Sequence, residues 1–403
     1  MPDGWKRQHL RDVINAMEAG VSVNGDDKPA LNGEKGVLRV SAVSYGVFAP
    51  GANKRIFQAD LNRARINPRA GSIIVSRANT SELVGASAYI EQDYENLFLP
   101  DKLWQIRKEG VNADTKWLSF FLASSRTREV ISGRATGTSS GMKNVSQDAF
   151  LGVPILLPPL PEQRRIAAIL SQWDDSLSIL SRLIEAKRQQ KRGLAEALLT
   201  GKRRLPGFEG EWELQPLSKF LRESRVPGSN GTTARKLTVK LWGKGVYEKR
   251  EKLLGSENTK YFKRRAGQLI FSKLDFLNGA FGVVPKDLDG LESTLDLPCF
   301  DFLPGLEPQF LLEYISREEF YRQFEGGAIG GRKARRVMPE EFLKAEVELP
   351  PLPEQQAIAS VLSTLDEELS ALERLRTSVQ EQKRGLMDLL LTGRVRVKVE
   401  EAS

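Results

Sequence analysis

The chain has 403 residues, with 60 Lys plus Arg against 52 Asp plus Glu, one cysteine and one histidine, and its length leaves room for two or three domains. With only Cys299 and His9, an intramolecular disulfide and a Cys/His zinc site are excluded, and a Ser-His-Asp arrangement has a single available imidazole. Met1 to Leu10 carries no apolar run behind its charges and no stretch of about 18 apolar residues follows, so neither secretion nor membrane spanning is expected; a reducing cytoplasm fits.

The formal charge of +8 is unevenly spread. Lys54 to Arg77 holds six basic residues against Asp60, and Arg235 to Lys273 holds twelve against Glu248, Glu251 and Glu257. Asp287 to Glu319 offsets this with nine carboxylates against Arg317. Two basic patches suit phosphate contacts, and a merely solvated basic surface is the plain alternative.

In chain order, the first block alternates short β-branched runs with glycine-rich breaks. Val37 to Val40, Ser72 to Val75, Ala86 to Ile90 and Val153 to Leu157 read as strands, and Lys116 to Val130 as a helix turning aromatics toward a core. Next comes Pro158 to Arg204, beginning PPLPEQRRIAAIL and ending KRGLAEALLTGKRR. Its apolar residues recur four and three apart: Ile166, Leu170, Trp173, Leu177, Leu180, Ile184. That is a coiled-coil seam. Pro161 and Glu162 suit the first turn of a helix, and Gly201 suits its stop. The span between them predicts a helix of about 39 residues, near 58 Å at about 1.5 Å per residue.

The chain then repeats itself. Leu237 to Lys240, Gln268 to Phe271, Phe281 to Val284 and Ala345 to Leu349 read as strands, and Gln309 to Phe324 as a helix. Pro350 to Arg396 follows, beginning PPLPEQQAIASVL, and matches Pro158 to Arg204 at 26 of 47 positions. Its stripe runs Ile358, Leu362, Leu365, Leu369, Leu372 in the same register. Weaker matches extend upstream, with Arg69-Ala70-Gly71 and Ser76-Arg77 against Arg265-Ala266-Gly267 and Ser272-Lys273, and Trp5 against Trp212. A period near 200 residues is a duplicated domain, too long for a solenoid. Each block is an α/β or α+β domain, and the two apolar stripes can bury each other; two amphipathic helices lying on their own domains is the alternative. Lys187, Lys191, Arg376 and Lys383 interrupt the stripes, where a dry seam would be costly.

Catalytic motifs are missing. There is no GxxxxGK[ST] phosphate loop and no Asn/Asp-Pro-Pro-aromatic tetrapeptide; Asn67-Pro68-Arg69 fails at its third position. Gly326 to Gly331 is glycine-rich without being GxGxxG, and suits a flexible loop. Asp101 and Glu109 are better explained as surface carboxylates than as a nuclease metal site.

Pro-Pro-Leu-Pro-Glu-Gln at the foot of a long helix, twice, each copy after a variable block of about 150 residues, resembles the specificity subunit of type I restriction-modification systems over the full chain. The resemblance implies two similar target-recognition domains separated by two long α-helices pairing as an antiparallel coiled coil with pseudo-two-fold symmetry. The corresponding divisions are 1–157, 158–204, 205–349 and 350–403. It also implies a non-catalytic subunit that reads double-stranded DNA, bound by two methyltransferase subunits and, for cleavage, by restriction subunits. S-adenosylmethionine, ATP and magnesium would then belong to those partners. Independently of the resemblance, two like domains on paired helices share the symmetry of duplex DNA and suit a bipartite target with an unread spacer.

The candidate DNA-contacting residues are Arg63, Arg65, Arg69, Arg77, Asn79, Lys143 and Asn144 in the first domain and Arg264, Arg265, Lys273, Arg332, Lys333, Arg335 and Arg336 in the second. Arg can fork to guanine and Asn can pair with adenine, although most such contacts go to phosphate. A coiled-coil scaffold that organises partner proteins without touching DNA fits the duplication equally well; only the charge clusters and the resemblance argue against it. A self-contained nuclease or methyltransferase needs motifs that are not found.

Overall fold

The computed structural model describes residues 2–137, 141–250, 255–326 and 335–398. The chain divides into two compact units, Met1–Ser181 with Arg374–Ser403, and Arg182–Glu373. This division cuts through both long helices, whereas the boundaries expected from sequence, after residues 157, 204 and 349, fall beyond the helix ends. The reason is that each unit buries the beginning of one long helix and the end of the other.

In the first unit a four-stranded antiparallel sheet has the order Glu18–Ala19, Leu103–Ile106, Ile73–Ser76, Ser87–Tyr89. Leu103 lies opposite Ser76, and Ile73 opposite Tyr89. The expected strand Val37 to Val40 is shorter, Gly36–Leu38, because the chain turns into a 3-10 segment at Val40–Ala42. Lys6–His9 pairs antiparallel with Pro154–Leu157, tying the start of the domain to its last strand.

The expected helix Lys116 to Val130 is two helices, Thr115–Ala123 and Ser125–Gly133. Ser124 breaks it by taking an extended conformation, φ −63° and ψ 144°, in which its hydroxyl accepts from the Thr127 amide as an N-cap. Trp104, Trp117, Phe150, Ile73 and Val75 form the centre of this core.

The second unit repeats the plan. Its sheet order is Leu221–Ser224, Cys299–Phe302, Leu269–Phe271, Phe281–Val283, all antiparallel. Glu213–Pro216 pairs with Glu346–Leu349 as the first unit's outer strands do. The expected helix Gln309 to Phe324 also splits, into Pro308–Ile315 and Glu318–Arg322, at an extended Arg317. Its core is richer in rings: Phe271, Phe276, Phe300 and Phe342 contact one another at centroid distances of 5.0 to 5.7 Å.

The two long helices are Leu160–Leu199 and Leu352–Leu391, 40 residues each, about 60 Å at 1.5 Å per residue. Gly201 and Gly393 follow them at φ 67° and 68°, the left-handed C-terminal position that glycine fills without strain. Within each unit the helices pair antiparallel, because partner numbers fall as own numbers rise. Glu162 meets Arg396 and Asp174 meets Lys383 in the first unit; Lys187 meets Glu368 and Lys191 meets Asp366 in the second. Ile166 and Leu170 are fully buried with Leu390 and Leu391, and Ile358 and Leu362 with Leu198 and Leu199. Trp173, Leu177 and Leu180, like Leu365, Leu369 and Leu372, are half-buried. Three of the cations that interrupt the stripes, Lys187, Lys191 and Lys383, are therefore matched by carboxylates of the other helix. Among the described residues no helix is long and apolar enough to cross a membrane.

The Glu-Gln of the repeated motif has a structural role in both copies. Glu162 accepts from Arg396 at 2.7 and 2.9 Å and from the Trp5 indole at 3.0 Å. Glu354 accepts from Arg204 twice at 2.6 Å. Each buried carboxylate thus joins the start of one long helix to the residue that follows the other. Gln163 accepts from the Asp114 amide at 2.8 Å and donates to the Pro158 carbonyl at 2.7 Å; Gln355 does the same with Glu307 and Pro350, both at 2.9 Å. Asp114 and Glu307 are the N-cap residues of the first short helix in each domain, so the glutamine fixes that helix to the long one.

Candidate nucleic-acid interface

In the first domain the strand Ile73–Ser76 delivers Arg77 to its end, and the next two residues, Ala78–Asn79, pair antiparallel with Lys143–Asn144. The Arg77 Nε donates to Asn144 Oδ1 at 3.3 Å, and the guanidinium lies 5.8 Å from the Trp104 ring centre. The Arg77 carbonyl accepts from Val145 at 2.9 Å. Arg77, Lys143 and Asn144 therefore form one cluster of polar side chains at the strand end.

Asn79 does not belong to it as a reader of bases. Its side chain is 5% exposed, donates to Ser76 Oγ at 3.2 Å and accepts from the Thr80 amide at 2.9 Å, so the carboxamide is spent on its own turn. Arg63, Arg65 and Arg69 are exposed and precede the strand that Arg77 follows. Arg63 is paired with Asp60 at 2.9 Å; the Asn24 amide, followed by Arg63, holds the Asp60 carboxyl below its ordinary range.

The second domain carries the same frame. Lys273 ends the equivalent strand, half-buried, and its carbonyl accepts from Val337 at 2.9 Å, as that of Arg77 does from Val145. Arg336, exposed, lies 4.0 Å from Asp296, and Arg335 donates to the Glu325 carbonyl at 3.2 Å. Arg332 and Lys333 lie outside the described residues. Arg265 is exposed and bridges to Asp301 at 2.9 Å.

Arg264 corrects the sequence reading. It is fully buried, and its guanidinium donates to Ser293 Oγ and the Ser224 carbonyl, both at 2.7 Å, and to the Leu297 carbonyl at 3.3 Å. Burial lowers its pKa. It knits strands together inside the domain and has no face for DNA.

A cleft of about 1240 Å³ in the second unit runs between the hairpin Leu237–Val239/Val246–Glu248 and the helices. Four cations, among them Lys240 and Lys191, and four carboxylates, among them Glu313 and Asp366, line it. Balanced charge makes it a poor channel for a polyanion.

Sequence reasoning passed over one pair of residues. Tyr45 and Trp242 stand at the tips of hairpins, one in each domain, 59% and 62% exposed. The only signal in the sequence was an aromatic-glycine step between two β-branched runs.

A model of the type I restriction modification DNA specificity domain matches residues 2–187 and 309–380. The chain belongs to this family. Among relatives of the specificity subunit, a Methanocaldococcus jannaschii protein assigned as the type I restriction enzyme MjaX specificity subunit is 23% identical over 99% of this chain and 95% of its own length. The MjaVIII specificity subunit of the same organism is 24% identical over 73% of each chain. Among solved structures, the type I restriction-modification S subunit from M. genitalium superposes with a TM-score of 0.57 at 14% identity over 96% of each chain. A chain from a structure of type I R-M complex assembly and conformational transition gives 0.56 at 18% over 98% of this chain and 99% of that one. At these identities the structures establish a shared fold, that of S subunits, and the family match establishes DNA sequence specificity as this chain's role.

Proposed function

We propose that each domain reads one half of a bipartite, asymmetric DNA target, while the paired helices set the unread spacer and dock two methyltransferase subunits. The observation that carries this reading is the exact reuse of one frame with different side chains. Arg77 and Lys273 end equivalent strands and accept equivalent hydrogen bonds from Val145 and Val337, yet guanidinium and ammonium read different groups on a base edge. Equivalent frames with unlike tips suit two half-sites of unlike sequence. Ile179 and Leu375 in the first unit and Leu183 in the second are exposed apolar residues on the long helices, which suits helix-on-helix docking of partners.

On this reading the chain performs no chemistry. Methyl transfer belongs to the methyltransferase subunits with S-adenosylmethionine, and cleavage to restriction subunits with ATP and magnesium, in the cytoplasm. Methylome sequencing of cells with and without the gene tests it: one split adenine motif should appear with the gene, and exchanging residues 1–157 for another recognition domain should change one half only. Methylation of an unsplit motif would overturn it. If the purified complex retards no duplex in a mobility-shift assay, the scaffold reading replaces it.

A further inference from the structure

We infer that Tyr45 and Trp242 are paired aromatic contacts to DNA, each stacking on or wedging against bases of its domain's half-site. The inference rests on the reading that each domain binds DNA, and deepens it by naming residues that charge did not reveal. Among the described residues these two are the only non-glycine positions with positive φ, 49° and 60°. Each is followed by a glycine also at positive φ, Gly46 at 83° and Gly243 at 64°, so each pair forms the two central residues of a type I′ hairpin turn. Asparagine, aspartate or glycine would occupy the first of these positions with far less strain than an aromatic ring. The same costly choice occurs independently in both domains, and both rings point into solvent, 59% and 62% exposed. Strain at an exposed hairpin tip, once in each domain, is what a binding contact leaves behind.

The turns are also pinned. Gly46 donates to the Ser87 carbonyl at 3.0 Å; Trp242 and Gly243 donate to Asn278 and Gly279 at 2.8 and 2.9 Å. A ring on an anchored turn is held ready, so little ordering is needed on binding. A cation stands beside the first, the Arg128 guanidinium 4.0 Å from the Tyr45 ring centre; in the second hairpin Lys240 lies 4.0 Å from the ring centre of Tyr247. At Tyr45, ring and neighbouring cation together fit a base and its phosphate better than a protein surface.

The test uses the full chain assembled with its methyltransferase subunits and a duplex carrying the motif found in the wild-type methylome. Tyr45→Asn and Trp242→Asn should each weaken binding about five- to hundredfold, the effect of one lost base-aromatic stack, with melting temperature unchanged or raised. Tyr45→Trp and Trp242→Tyr should keep the affinity. 2-Aminopurine placed in turn along each half-site should brighten on wild-type binding in both halves, and lose that response in one half only for each Asn variant. Asn variants that bind within twofold of wild type overturn the inference, as does equal loss in the ring-keeping variants, or loss confined to assembly with the methyltransferase. If wild type itself prefers no duplex, the recognition reading fails first.

Discussion

The two units solve one problem with different chemistry where a lysine crosses the helix pair. In the first, Lys383 pairs with Asp174 and lies 5.1 Å from the Phe120 ring centre. In the second, the repeat-equivalent Lys191 pairs with Asp366 at 2.7 Å and also with Glu313 at 3.0 Å. Glu313 stands in the short helix where the first unit has Phe120. A ring offers its electron-rich face without needing hydration, whereas a second carboxylate loses water on burial and crowds the first. Burial therefore pushes the Glu313 carboxyl above its ordinary range, while the two carboxylates raise Lys191 despite its own burial. The same difference recurs at the motif glutamates: Trp5 donates to Glu162, but the equivalent Trp212 indole nitrogen finds no hydrogen-bond partner among the described residues. At these two positions the first unit is the better satisfied, while the second packs more phenylalanine rings together.

That comparison can be broken most forcefully in the cores. Phe342→Ala removes a ring that contacts four others, and Phe150→Ala one that contacts Trp104 alone. Both should cost about 3–5 kcal/mol, Phe342 the more, with thermal unfolding giving the loss and limited proteolysis locating it in one unit. If Phe150 proves the costlier, the ring cluster does not carry the second unit.

Arg264→Met should come next, losing roughly 3 kcal/mol because the Ser224 and Leu297 carbonyls are left without their charged donor. The salt dependence of DNA binding should stay as in wild type; a shallower slope would return Arg264 to the interface. Arg77→Ala should do the reverse, reducing the log-log salt slope by about one while leaving stability within about 0.5 kcal/mol.

Glu313→Phe makes the second unit resemble the first and should stabilise it by about 1 kcal/mol at neutral pH. The sign follows from the raised carboxyl. Between its unfolded value of 4.5 and its higher folded value the native state holds the extra proton, so wild type loses stability as pH rises through that window and the variant does not. Melting curves from pH 4 to 8 would show it, and parallel curves would refute it. The smallest effect is chemical: Cys299, buried where the first unit has Gln105, is pushed up to about 12 by burial and should resist iodoacetamide at pH 8 until the unit unfolds.

The duplication, the long helices and their glycine stops were legible because they repeat at fixed spacing, and PPLPEQ marked both helix starts. What the spacing could not show is which charges lie inside. Arg264 and Arg265 are neighbours of one type, but the first meets Ser293 and two carbonyls brought from distant strands, and the second meets water and Asp301. Asn79 was lost to its own turn, a local choice between bonding neighbours and facing outward that one residue name does not settle. The breaks at Ser124 and Arg317 fell inside apolar periodicity that continues across them, so the pattern concealed two helices in one. The strain at Tyr45 and Trp242 is a backbone property with no signature in composition.

Glu162 waits for Arg396, 234 positions away, while Glu354 finds Arg204 only 150 positions back. Leu390 and Leu391 likewise fill the core of the unit that begins the chain. As the polypeptide leaves the ribosome, the first unit is therefore completed only after the second, whose residues run without interruption from Arg182 to Glu373. Until the segment with Leu390 and Leu391 emerges, the first unit must persist with its hydrophobic base uncovered, which makes that segment a late plug whose deletion would harm a domain some two hundred residues upstream.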